Sequence, residues 1–99
     1  AHRNLGWLLL LEGNSHDAVQ HLRRAVDAEV TIDGAFLLAF AYLVDGQQDA
    51  AVAAYAQAID AFGVEAARRV AVGNLDWLLS RGVHTQQAQA IRDRYWPRE

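Results

Sequence analysis

Cysteine and methionine are missing from this 99-residue sequence, lysine does not occur, and proline occurs once. Without cysteine there is no disulfide framework, no thiolate zinc site and no cysteine nucleophile. Without lysine, the fixed positive charge rests on nine arginines, set against twelve acidic residues for a formal −3, with four histidines besides. Arginines scattered in a mildly acidic chain exclude nucleic acid as the main partner, which needs a basic stripe. No apolar run comes near the roughly 20 residues that span a bilayer, so no membrane insertion is expected. No charged n-region with a cleavage site opens the chain, so no signal peptide is read from it. Ala1 begins inside an apolar pattern, as expected of a piece cut from a longer chain. Removal of an initiator methionine is the alternative.

What is present is apolar: 53% hydrophobic residues and 21% charged, too hydrophobic for a disordered tail. A single domain of about 100 residues is a natural size. The chain also repeats itself. Residues 5–28 align with residues 38–61, keeping Leu5/Leu38, Leu10/Leu43, Gly13/Gly46, Ala18/Ala51, Val19/Val52, Ala25/Ala58, Asp27/Asp60 and Ala28/Ala61. Trp7/Phe40, Glu12/Asp45, Leu22/Tyr55 and Val26/Ile59 are conservative pairs. A third copy begins at 74–82, where NLDWLLSRG echoes NLGWLLLLEG at 4–13 with one residue deleted. Such periodicity is the signature of repeat architectures.

Each unit carries the signals of a helical hairpin. Apolar residues recur at three- and four-residue spacing, as in Leu5, Leu8, Leu9 and then Val19, Leu22, Val26. Gly13, Gly46 and Gly82 stand where a first helix must end, and Gly63 stops the second helix of unit two. Asn14 or Ser15 is a cap for the next helix, with Asp17 near its positive end, and Thr85 is the comparable cap in unit three. Pro97 lies past the last helix. The pattern predicts six helices, about 2–12, 15–28, 31–44, 47–61, 64–80 and 84–95. Connections of two to four residues make neighbours antiparallel. Alanines at 18, 25, 51, 54, 58 and 61 remove bulk where helices approach closely.

These residues resemble tetratricopeptide repeats. That family places Leu-Gly and a large apolar residue on the first helix of each unit, then alanine, a large or aromatic residue and alanine on the second. Unit one supplies Leu5-Gly6, Leu9, Ala18, Leu22 and Ala25; unit two supplies Leu38-Ala39, Tyr42, Ala51, Tyr55 and Ala58. Unit three keeps Leu75 and Leu79, while its second helix drifts to Ala88, Ile91 and Tyr95. The usual proline at the end of each unit is absent, His2 stands where tryptophan is preferred, and Asn-Leu-Asp at 74–76 replaces the small residue that lets the helices touch. The resemblance implies an all-α fold, antiparallel hairpins stacked as a short right-handed solenoid. Residues 1–99 would form one domain, with units at about 1–30, 31–63 and 64–96 and the third acting partly as a cap.

The resemblance also implies a protein-binding scaffold whose inner face is lined by the first helix of each unit. The family's inner-face positions fall on Arg3, Trp7, Leu10 and Leu11, then on Asp33, Phe36, Phe40, Leu43 and Val44, then on Val70, Gly73, Trp77, Ser80 and Arg81. Trp7, Phe40 and Trp77 share one place in successive units, with Phe36 beside it. If that column faces a groove, its aromatics would anchor an amphipathic helix or an extended apolar peptide. The alternative is ordinary core, or packing on a neighbouring domain of the parent chain. Family members that hold chaperone C-terminal carboxylates use lysines and asparagines, and the matching places here are Arg3, Trp7, Leu37, Val70 and Asn74. That set is no carboxylate clamp.

Nothing in the sequence supports catalysis. His16 and His21 are five apart on one helix, whereas two metal ligands on one face need a spacing of three or four. Asp27, Glu29 and Asp33 lack a calcium-loop spacing, Ser15 and Ser80 sit in no nucleophile signature, and no glycine-rich phosphate loop occurs. Arg23-Arg24 and Arg68-Arg69 read as solvated faces. The expectation is an interaction module with no cofactor or metal, in the cytoplasm, although a chain without cysteine fits the periplasm equally. Its partner is a protein or peptide segment. The competing reading is a structural spacer or self-association domain of a larger enzyme or secretion protein. An RNA-reading helical repeat would need polar code residues and a basic face, and has neither.

Overall fold

A computed structural model of the chain describes residues 13–82 and 85–97, and over them the fold is helical with no strand. The helices follow as α1 (Ser15–Ala28), α2 (Ile32–Val44), α3 (Gln48–Phe62), α4 (Val64–Arg81) and α5 (Thr85–Tyr95). The expected helix at 2–12 lies outside the described residues, and Arg3, Trp7, Leu10 and Leu11 with it. The bounds of α1 match its expected range, α3 is shifted by one residue at both ends, and the other described helices differ by one residue at one end.

The helix ends show how local chemistry sets these limits. At Gly46 the backbone turns to φ +80°; its N–H bonds Leu43 O at 3.1 Å and the Gln47 N–H bonds Tyr42 O at 2.9 Å. That pair of bonds satisfies carbonyls the helix leaves open. Gly63 does more than stop a helix. At φ +89° and ψ 147° it is at once the C-cap of α3 and the N-cap of α4. The join is therefore one residue rather than the expected two to four, and only glycine enters that backbone region without strain. At α2 the cap is Thr31, whose hydroxyl accepts the Gly34 N–H at 3.0 Å. The caps expected at α1 differ: Asn14 makes no side-chain cap bond, and the Ser15 hydroxyl turns away to Asp45.

The central element is α2. Its sequence, IDGAFLLAFAYLV, carries one charged residue, and seven of its residues are buried: Gly34, Phe36, Leu37, Ala39, Phe40, Ala41 and Leu43. A helix apolar on nearly every side must be enclosed by others, and α2 packs against α1, α3 and α4. The surrounding helices each offer a narrower stripe: Ala18, Val19 and Leu22 from α1, Ala51, Tyr55 and Ala58 from α3, and Ala67, Ala71, Leu75 and Leu78 from α4. Ala88 and Ile91 of α5, with Trp96 just beyond it, complete the core, and α5 packs on α4. Ala18, Ala51 and Ala58 are thus close-packing positions, Ala25 and Ala54 are half-buried, and Ala61 is exposed. Val19 and Val52 hold equivalent places in the repeat, yet one is 1% exposed and the other 38%.

Candidate functional site

The aromatic column meets its first test at α2. Phe36 and Phe40 have no exposed surface and Leu43 has 1%. Those three side chains are core and present nothing to a partner. Phe36 lies against the Tyr55 ring, centroids 6.1 Å apart and planes tilted by 47°. Phe40 meets Trp77 of α4 edge-on at 6.1 Å and 70°. Two residues from equivalent repeat places are therefore in direct contact, and this geometry suits aromatic quadrupoles.

Solvent is reached at the α4 side of that contact. Trp77 is half-buried, and the Arg81 guanidinium stands 4.7 Å over its ring. The exposed Ser80 hydroxyl donates to Trp77 O at 2.7 Å. Val44 and Val70 are half-buried, whereas Asp33 and Gly73 are exposed. A Cβ at Gly73 would meet nothing within 4 Å. Among the described inner-face residues, then, the accessible ones are Val44, Val70, Trp77 and Arg81 with Asp33, Gly73 and Ser80, and the phenylalanines of the column take the alternative place in the core.

A second polar cluster joins α1 to the end of α2. Ser15 Oγ donates to Asp45 Oδ1 at 2.8 Å, Gln47 Nε2 donates to Asp45 Oδ2 at 2.7 Å, and His16 Nδ1 lies 3.7 Å from Oδ2. Burial acts to raise the Asp45 pKa, but the bonds from Gln47 and Ser15 and the nearby His16 outweigh it and hold the carboxyl below its ordinary value. Ser15 donates to the acid directly, with no histidine between them. That is the geometry of a structural tie and not of an activated nucleophile.

Two further ties escaped the sequence reading. Arg92 Nε donates to Asp76 Oδ1 at 2.7 Å, with the Arg92 side chain 10% exposed. Trp96 Nε1 donates to Val64 O at 2.8 Å, pinning the residue after α5 to the start of α4. Arg92 follows Ala88 by four residues, as Leu22 follows Ala18 and Tyr55 follows Ala51. Ile91 was expected in that place; both are buried, and Arg92 is bonded to Asp76 of α4. The readable signal was a charge at a core register position of α5; Asp76, at the place of the buried Ala39, has its side chain 43% exposed.

Among the described residues no group of three or more histidines, cysteines or acids is placed to hold a metal ion. Among the same residues no helix is long and apolar enough to cross a membrane. Compared with known proteins, the chain matches no family model, no curated protein and no solved structure.

Proposed function

We propose that this chain is a non-enzymatic, cytoplasmic scaffold of the tetratricopeptide kind, three hairpins stacked in a right-handed solenoid, the first hairpin completed by residues 2–12. Its ligand is an apolar or helical segment of a partner protein, taken on the face formed by the first helices of the units. The observation that carries the proposal is the Phe40–Trp77 contact. It sets α2 and α4 side by side at equivalent repeat places, as successive first helices of a solenoid would lie. Trp77 then remains half-exposed beneath Arg81, and an aromatic with a stacked guanidinium is a common interface anchor. Arg3, Trp7 and Leu10 would extend the same face.

A displayed library of amphipathic helical peptides, selected on the intact chain, tests this. Sequences with apolar residues at helical spacing should be enriched, and Trp77→Ala should lose them while keeping its helical circular dichroism. Failure to enrich any such sequence, or equal binding by Trp77→Ala, would overturn the proposal.

The burial of Phe36, Phe40 and Leu43 favours a second reading, a spacer or self-association domain in a larger protein, because little apolar surface is left for a ligand. Light scattering separates the two. A mass that grows with concentration supports self-association, and a monomer at high concentration speaks for the scaffold.

A further inference from the structure

The first-helix face changes character between units two and three. In unit two its places read Phe36, Phe40 and Val44, the first two without exposed surface. In unit three the same places read Gly73, Trp77 and Arg81. The phenylalanine that lies on Tyr55 in unit two thus gives way to a bare backbone position, and the valine to a cation. Around Gly73 the surface is open: the residue is exposed, and an added Cβ would meet nothing within 4 Å. Glycine in mid-helix costs stability, and no neighbour calls for it here. It leaves a notch one turn from the half-buried Trp77, where another chain can approach the backbone closely.

The same strip carries charge of one sign. Ala66, Val70, Gly73, Trp77 and Arg81 follow at three- and four-residue spacing, so they share one face of α4, and no acid stands among them. The Arg81 guanidinium lies 4.7 Å over the Trp77 ring, and no carboxylate among the described residues pairs with it. A guanidinium stacked on an aromatic face keeps its in-plane N–H groups for a carboxylate. The wider charge agrees: residues 13–63 hold seven acids and two arginines, residues 64–97 three acids and five arginines. A ligand carboxylate is therefore drawn to unit three and repelled by unit two.

We propose that the helical segment taken by this face carries an Asp or Glu side chain one or two turns from its apolar anchor. The anchor fills the notch at Gly73 against the Trp77 ring, and the carboxylate bonds the free edge of Arg81. From Gly73 to Arg81 the helix rises about 12 Å, and the guanidinium lies back over Trp77, so one or two turns of a ligand helix cover the distance. This rests on the scaffold reading and adds to it the charge of the ligand and the place of each part along α4.

A displayed library of amphipathic helical peptides, with charge varied independently of the apolar positions, is selected on the intact wild-type chain and on its Arg81→Glu variant. Wild type should enrich Asp or Glu one or two turns from the apolar anchor. Arg81→Glu should enrich Lys or Arg at that place, with the anchor unchanged. Against a peptide enriched on wild type, Arg81→Gln should bind about tenfold more weakly and lose most of the salt dependence. Gly73→Leu, which fills the notch, should also bind more weakly while keeping wild-type helical circular dichroism. Apolar helices enriched on wild type with no charge preference overturn this inference and leave the scaffold reading standing. So does the same charge preference on wild type and Arg81→Glu, or equal binding by Gly73→Leu. If no helix is enriched at all, the scaffold reading has failed and the inference fails with it.

Discussion

Ser15 and Asp45, thirty residues apart, are joined by a 2.8 Å hydrogen bond that ties the first turn of α1 to the residue closing α2. The carboxylate gains from lying near a helix N-terminus, where open N–H groups favour negative charge. Because the Asp45 pKa is lowered in the folded chain, the folded state binds this proton less tightly than the unfolded state. The contribution to stability is therefore full above the ordinary carboxyl range and is lost as pH falls through it. Asp45→Asn should be less stable than wild type at neutral pH, with the gap closing below about pH 4. Urea midpoints measured across that range check this, and a gap that stays constant down to the acid limb would refute it.

Tyr55 points to an improvement the chain has not made. Its ring has no exposed surface and its hydroxyl has no hydrogen-bond partner among the described residues, and burial pushes the phenol pKa well up. A buried hydroxyl without a partner costs roughly 1–3 kcal/mol of desolvation. Tyr55→Phe keeps the contact with Phe36 and removes the stranded group, so stability should rise by about 1 kcal/mol. Thermal unfolding measures it, and a lower melting temperature would mean the hydroxyl is satisfied.

The indole of Trp96 separates hydrogen bonding from packing. Trp96→Phe keeps an aromatic ring in a site only 4% exposed but removes the donor to Val64 O. A loss of about 1 kcal/mol is expected, with faster amide exchange in α5 than in α2. Unchanged exchange in α5 would show that the bond to Val64 does not hold the helix.

Two helical glycines should answer the same substitution with opposite signs. Gly73 is exposed in mid-helix with open space around it, so Gly73→Ala should stabilise by about 0.5–1 kcal/mol. At Gly34 an added Cβ would come within 2.9 Å of Thr31 Oγ1, the atom that caps α2 through the Gly34 N–H. Gly34→Ala should therefore destabilise by about 1 kcal/mol as the cap is displaced. Urea unfolding of both variants tests the pair, and a shared sign would refute the account.

Much of the architecture was legible because helices write themselves locally. Alanine and leucine at three- and four-residue spacing, closed by Gly46, Gly63 and Gly82, placed the ends of the described helices within a residue. The candidate site was legible only in part. Phe40 and Trp77 were matched by register and do touch, yet register places a residue without saying how many neighbours cover it. Val19 and Val52 make the same point, one covered and one open at the same repeat place.

The sequence by itself determined the helices of the described residues and the places where each stops, since backbone hydrogen bonding, side-chain periodicity and glycine's access to positive φ are all local properties. Tertiary structure alone decided that Phe36 and Phe40 are core, that Ser15 serves a distant carboxylate instead of its own helix, and that Asp76 and Arg92 meet. Burial and ion pairing depend on which surfaces come together. That is a property of the packed chain, because a buried charge such as Arg92 is tolerated only when its partner arrives on another helix.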